Sequence, residues 1–445
     1  MERRGSQRIP SLDFQVSGAR NSADSGNHDS RRRFSVTLAA IHSTPRRVIG
    51  TQLAVTAMRL IPRSLVQARW LEAIRRIDCG TLTFVAPNGE VHAVEGSKPG
   101  PSARFAIKDW DVVDRLVARG DIGLGEDFIA GAWETDDIEA LISLFLLNLD
   151  RLDGFAHGSL WNRLGFVLLN TVVRRNSETG SRRNIEAHYD VGNDFYRLWL
   201  DETMTYSSAL YKQPTAPLGA AQRAKYERIL SKLPERARVL EIGCGWGGFA
   251  EAAVDSGREV TGITISPAQH NFARQRLGGK VDIRLEDYRR TRGVFDAIVS
   301  IEMFEAVGER YWPRYFHTLA ERLKRGGRAV LQAITIRDDV FPDYRTRSDF
   351  IRQYVFPGGM LPSLARMKEE AERAGLKMLD VFSFGQDYAR TLRAWSKNQR
   401  AAELSIRALG HDDRFMRNWQ FYLGICASTF AVERTNVVQV ELAHA

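Results

Sequence analysis

The chain has 445 residues, 44% of them hydrophobic and 26% charged, which excludes a largely disordered, collagenous or disulfide-scaffold protein. Its three cysteines, Cys79, Cys244 and Cys426, show no metal-ligand spacing and suit a reducing compartment, and no apolar run is long enough to span a bilayer as a helix. The formal charge is +9, but residues 1–50 carry +5 and residues 51–80 carry +3, so the body is nearly neutral and is not read as a nucleic-acid surface.

Residues 1–50 are rich in Ser, Arg, Gly and Asn and are expected to be disordered. Their Arg and Ser content resembles an organelle transit peptide, but Glu2, Asp13, Asp24 and Asp29 oppose that reading. Residues 51–77 interleave Leu, Val, Ile and Trp with five arginines. This predicts a basic amphipathic helix, interrupted near Pro62. Its apolar face either lies on an anionic membrane surface or packs on the next domain.

Residues 79–135 predict a small mixed domain. Two alternating strands flank Asn88-Gly89, a hairpin signal, and a helix is expected at about 109–119. The glycine-rich GDIGLGEDFIAGAWE follows. Residues 136–175 hold two apolar helical stretches, IEALISLFLLNL and LWNRLGFVLLNTVV, which read either as core or as a lipid-facing wall. From about residue 180 short strands alternate with helices: RVLEIGCG, EVTGITIS, VDIRLEDY, FDAIVSIE, RAVLQAIT, LKMLDVFSF and a closing TNVVQVEL. That alternation predicts an α/β fold with a doubly wound, mostly parallel sheet.

The sharpest local signal is a strand ending at Glu241, followed by Gly243, Gly245 and Gly247 and then a helix. Glycines there permit a tight turn and close approach of backbone to a ligand. The spacing is not that of a dinucleotide-binding loop, and no Lys-Ser/Thr pair follows to make a phosphate loop. The pattern resembles the first motif of class I methyltransferases. That resemblance implies S-adenosylmethionine as cofactor, with the acid orienting its methionine end. The second strand ends at Thr264-Ile-Ser266 with no acid, so Thr264 and Gln269 are the candidates for the ribose hydroxyls. Asp287 and Tyr288, after the third strand, are candidates for the adenine edge and face.

Further motifs narrow the family. They are His188-Tyr-Asp-Val-Gly-Asn-Asp-Phe-Tyr196, Met204-Thr-Tyr-Ser-Ser-Ala-Leu-Tyr211, Met303-Phe-Glu-Ala-Val-Gly308, Gln353 to Ser363, Asp387-Tyr-Ala-Arg-Thr-Leu392 and Phe421 to Ala427. In this order they resemble the cyclopropane fatty acid synthases, which include the mycolic acid cyclopropane synthases. The resemblance covers about residues 80–445. It implies a seven-stranded class I methyltransferase sheet over residues 180–445 and a smaller α+β lipid-binding accessory domain over residues 51–175.

The implied reaction is addition of a sulfonium methyl to the cis double bond of a phospholipid acyl chain. A carbocation forms, and loss of a proton from the new methyl closes a cyclopropane. The resemblance implies bound bicarbonate as the base, with Glu305 and Tyr388 holding it and Ile334 offering a backbone contact. Tyr206 and Ser207 match positions near the cofactor's carboxylate. Cys426 matches a cysteine described as an active-site residue, although a small buried hydrophobe is the better physical reading. Tyr196, Phe304, Tyr354, Phe356, Tyr388 and Phe421 are candidates for lining an acyl tunnel and facing the cation.

Three positions depart from the family's pattern: Ser208 replaces Cys, Ala306 replaces His and Gln332 replaces His. Ser208 and Gln332 can still hydrogen-bond an anion, but neither carries a proton's charge. An altered base would favour a methyl- or methylene-branched lipid over a ring. A small-molecule N- or O-methyltransferase and a cofactor-binding protein without catalysis are the other readings. The resemblance also implies a cytoplasmic protein bound peripherally to the inner membrane surface, with a homodimer as one assembly and no nucleic-acid partner.

Overall fold

The computed structural model describes residues 63–152 and 191–445. The readings of residues 1–50, of the stretch up to Pro62 and of the second apolar helix lie outside the described residues, as do His188 to Asp190.

Helix α1 (Arg63–Arg75) starts directly after Pro62. Val66, Trp70, Ala73 and Ile74 fall on one face at helical spacing, and all are buried. The Trp70 ring meets Phe84 at 5.8 Å and Phe105 at 6.1 Å, both edge-on. For residues 63–77 the apolar face therefore packs inward, and the membrane-surface reading does not hold there.

Strands β1 (Cys79–Val85) and β2 (Val91–Glu95) form the expected hairpin, with Val85 opposite Val91 and Gly89 at φ +85° closing the turn. Strand β3 (Lys98–Ile107) runs parallel to β1, and the short β4 (Trp133–Glu134) pairs with β3, giving the order β2-β1-β3-β4. Helix α2 (Asp111–Arg119) lies where periodicity placed it. Helix α3 (Asp121–Ile129) contains two internal glycines, and neighbours crowd both. A Cβ at Gly123 would lie 2.5 Å from the Arg115 carbonyl oxygen, and one at Gly125 would lie 2.4 Å from the Phe350 ring. Helix α4 (Ile138–Leu147) is capped by Asp137, whose side chain accepts from Ala140 N–H at 3.0 Å. Asn148 then ties α4 to β1: its Oδ1 accepts from Asp78 and Cys79 N–H, and its Nδ2 donates to the Cys79 carbonyl.

The second layer begins with α5 (Leu218–Ser231), β5 (Arg238–Ile242), α6 (Gly248–Asp255) and β6 (Glu259–Thr264). It continues through α7 (Pro267–Leu277), β7 (Asp282–Leu285), β8 (Phe295–Ile301), α8 (Trp312–Arg322) and β9 (Leu323–Ile336). Helix α9 (Leu364–Arg373), β10 (Leu376–Ser383), α10 (Gly385–Ala401), α11 (Asp413–Ala431) and β11 (Thr435–His444) complete it. The sheet order is β10-β11-β9-β8-β5-β6-β7. The pairs among β5, β6, β7, β8 and β9 are parallel, and β11 runs antiparallel between β9 and β10. Val239 to Ile242 are buried in one unbroken run, as a strand covered on both faces requires. Strand order reverses direction between β5 and β8, which opens a crevice at their carboxyl ends.

The N-terminal layer rests on α11, against which α3 and α4 pack. Gly424 permits that approach: a Cβ there would lie 2.6 Å from Ile138 Cγ2. Arg393 of α10 pairs with both carboxylate oxygens of Glu139 on α4. Gly125→Val is expected to lower stability by about 1–3 kcal/mol, since Phe350 and Phe421 both abut that point. Urea unfolding checks this; an unchanged midpoint would mean the layers yield freely.

Candidate active site

At the crevice, β5 delivers Glu241 and turns through Gly243 (φ +84°), Gly245 (φ +52°) and Gly247 (φ +87°) into α6. A Cβ at Gly243 would press on Met303 at 2.9 Å, whereas one at Gly245 would meet nothing within 4 Å. The backbone at Gly245 therefore stands open to the cavity that it lines. Glu241 is buried on the same wall, and its Oε2 has no hydrogen-bond partner among the described residues. Burial pushes its carboxyl up to about 8, and the charge of Lys225 pulls it back. An unpartnered buried carboxylate oxygen beside an open glycine turn fits a ligand that brings its own donor or positive charge.

Thr264 Oγ1 donates to Gln269 Oε1 at 3.1 Å and accepts from Ser266 N–H at 3.2 Å. Gln269 therefore keeps its NH2 as the spare donor at the end of β6. The Asp287 carboxylate is gripped by Arg289 through Nε at 2.8 Å and Nη2 at 2.6 Å. Tyr288 is buried edge-on to Tyr315, with a hydroxyl that has no partner among the described residues. All four of these sequence candidates line the cavity.

The centre of the site is a residue that sequence reasoning missed. Glu302 follows β8 directly, at φ +49°, a left-handed conformation that costs a non-glycine residue energy. Its Oε1 accepts from Ser208 N–H at 2.8 Å and from Gln332 Nε2 at 2.7 Å, and its Oε2 accepts from the Tyr388 hydroxyl at 2.6 Å. Burial raises its carboxyl, and Lys225, Tyr388, Gln332 and Ser208 oppose the rise. Ser208 turns its own hydroxyl to the Ala209 carbonyl at 3.0 Å, and neither Ser208 nor Gln332 lines the cavity. Both act on it only through Glu302.

Glu305, three residues on, accepts from Ile334 N–H through Oε1, and its buried Oε2 has no partner among the described residues. Burial and then the charge of Glu302 push its carboxyl up to about 8. Lys225 is the second missed residue. It lies in the buried stripe Ala221, Lys225, Ile229 of α5 and donates to Ser207 Oγ at 2.6 Å. Burial lowers its ammonium to about 7. A lysine within an apolar i, i+4 stripe was the legible signal for it.

Tyr206 donates to the Tyr422 hydroxyl at 2.9 Å and packs on Trp395. Tyr388 packs at a tilt against Phe430 with ring centroids 4.5 Å apart. Burial holds the Cys426 thiol protonated by pushing it up, so Cys426 is a small apolar piece of cavity wall rather than a thiolate. Of the six aromatic tunnel candidates, Phe356 and Tyr388 line the cavity, whereas Tyr196, Phe304, Tyr354 and Phe421 do not. Phe304 packs on Trp312 and Tyr315, Phe421 on Phe128 and Phe350, and Tyr354 donates to Glu126.

The cavity measures about 610 Å³ and is continuous from the glycine turn, past Glu302 and Glu305, to the N-terminal layer. There Trp70, Leu116, Ile122, Ile142, Phe145 and Leu149 form its wall. In the first apolar helix Leu141 and Leu144 lie in the core, and Ile142 and Phe145 line the cavity.

The profile of the family described as mycolic acid cyclopropane synthetase matches residues 176–440. Tuberculostearic acid methyltransferase UfaA1 of Mycobacterium tuberculosis is 32% identical over 415 residues, which cover 90% of this chain and 93% of that protein. Cyclopropane-fatty-acyl-phospholipid synthase of Escherichia coli is 35% identical over 354 residues, covering 78% and 89%. Mycolic acid cyclopropane synthase CmaA1, solved in complex with SAH and CTAB, superposes with a TM-score of 0.55 at 30% identity, covering 59% of this chain and 97% of that one.

Proposed function

The chain belongs to the mycolic acid cyclopropane synthetase family and is an S-adenosylmethionine-dependent methyltransferase; from that premise we propose that it adds a one-carbon unit to the cis double bond of an unsaturated phospholipid acyl chain, closing a cyclopropane ring. The observation that carries this reading is a continuous cavity that joins the glycine turn and the acid pair to an apolar wall supplied by the N-terminal layer. In this reading residues 63–152 serve as the accessory layer that holds the acyl chain, and the seven-stranded layer carries the chemistry.

When bound, S-adenosylmethionine supplies an electrophilic methyl on a sulfonium. Glu241 and the turn at Gly243, Gly245 and Gly247 would hold its polar end, together with Tyr206 and Ser207. Thr264 and Gln269 would meet the ribose, and Asp287 and Tyr288 the adenine. Positioning is the main demand of such a transfer. The Tyr388 and Phe430 rings and the apolar wall keep water from the cationic carbon and offer it π faces.

Bicarbonate does not fit this arrangement. Ser208 N–H, the Gln332 amide and the Tyr388 hydroxyl are taken by Glu302, and Ile334 N–H by Glu305. The negative charge that Glu302 holds at that spot also repels an anion. The fixed carboxylate favours a second reading, a methyl- or methylene-branched chain, because it replaces a movable base with one whose reach is set.

Expression in a host with unsaturated phospholipids tests the proposal. Fatty-acid mass spectrometry should show a methylene increment with loss of the olefin for a ring, and an increment with the olefin retained for a methylene branch. No increment on any acyl chain would contradict both readings and leave small-molecule methylation.

A further inference from the structure

We propose that Glu302 is the proton acceptor of the reaction, a base built into the chain in place of a bound anion. This rests on the alkene-methylation reading above. Three observations converge on it. Glu302 gathers three donors that come from separate parts of the chain, Ser208 N–H, Gln332 Nε2 and Tyr388 Oη, at 2.8, 2.7 and 2.6 Å. Its backbone is held at φ +49°, and such strain persists where the surroundings enforce it. It faces the cavity beside Glu305, which has one donor and an unpartnered oxygen among the described residues. Two neighbouring carboxyl groups so differently supplied divide the roles: the one with three donors is the ionised acceptor, and the other holds the proton that the pair shares.

The step balances without an outside reagent. The alkene π pair forms a bond to the methyl carbon as the carbon–sulfur bond breaks and leaves its electrons on sulfur. The neighbouring chain carbon is left cationic. A C–H bond beside it breaks, its proton passes to a Glu302 oxygen, and its electron pair closes a ring bond or a new double bond. Tyr388 and Gln332 are positioning residues that aim the carboxylate.

The test uses the full chain, S-adenosylmethionine and vesicles of cis-unsaturated phospholipid. Native turnover should be unchanged when dissolved bicarbonate is removed. Glu302→Gln should lower kcat by about 10²–10⁴-fold, with S-adenosylmethionine affinity held within about twofold of native. A purely structural role would instead show as lost cofactor binding or a lower Tm. Glu302→Gly relieves the strained φ, and added bicarbonate or formate should restore part of its turnover. A native enzyme that stalls without bicarbonate, a Glu302→Gln variant with native kcat, or a Glu302→Gly variant that no anion rescues would each overturn the assignment. Absence of acyl methylation by the native chain would overturn the reading beneath it as well.

Discussion

Glu305→Gln is expected to lower kcat by about 10²–10³-fold while leaving S-adenosylmethionine affinity near native. The amide keeps the size of the carboxyl and still accepts from Ile334 N–H, so the turn after β8 is preserved. What is lost is the proton that the Glu302–Glu305 pair shares, which keeps the pair's negative charge on Glu302 in a water-poor cavity where cationic carbon has to be stabilised. Undiminished methylation by Glu305→Gln would remove this residue from the mechanism.

The same variant carries a stability signature. The folded-state carboxyl stands at about 8, above the ordinary value of 4.5 that the unfolded chain retains. Between those values the folded state binds the proton more tightly. Its contribution to stability is therefore complete below pH 4.5 and is lost as pH rises through 8. The ligand-free native protein should lose on the order of a few kcal/mol between pH 5 and pH 8.5 from such groups, and Glu305→Gln should lose visibly less. Urea unfolding at the two pH values reads the difference. Equal losses would show that Glu305 is ionised in the folded state throughout.

Glu241→Gln is expected to weaken S-adenosylmethionine binding by about 10–100-fold, the range for removing a charge-assisted hydrogen bond. Burial raises the carboxyl of Glu241 to about 8 as well. Native affinity should therefore climb from pH 6 to pH 9 as that group ionises, and the variant should lack this climb. Calorimetric titration checks both points. Native affinity in the variant would move the cofactor's polar end away from β5.

Much of this architecture is written locally. The hairpin at Asn88-Gly89 and the seven β-branched strands need only turn chemistry and periodicity to be read. The cofactor turn is equally local, since Glu241 and its glycines are consecutive in the chain. The centre of the site is not local. The donors to Glu302 lie 94, 30 and 86 residues away, and only the fold brings them together. The position of Glu302 was nonetheless legible: an acid at the carboxyl end of a central parallel strand faces the ligand crevice. Gly123 and Gly125 lower helix propensity, yet α3 spans both, and the reason for glycine at each is a tertiary contact that leaves no room for a Cβ. Ser208 and Gln332 were chosen for their side chains, but Ser208 contributes its backbone N–H and Gln332 reaches the cavity only through a carboxylate.

The most direct measurement supplies S-adenosylmethionine with a fully deuterated methyl group to the full chain and vesicles of cis-unsaturated phospholipid. The acyl chains are then weighed by mass spectrometry. If a base accepts the proton from the transferred carbon, the chain gains that carbon with two of its three deuterons, and the olefin disappears for a ring or is retained for a methylene branch. Acyl chains of unchanged mass, with the label found elsewhere or left on the cofactor, would contradict alkene methylation by this site.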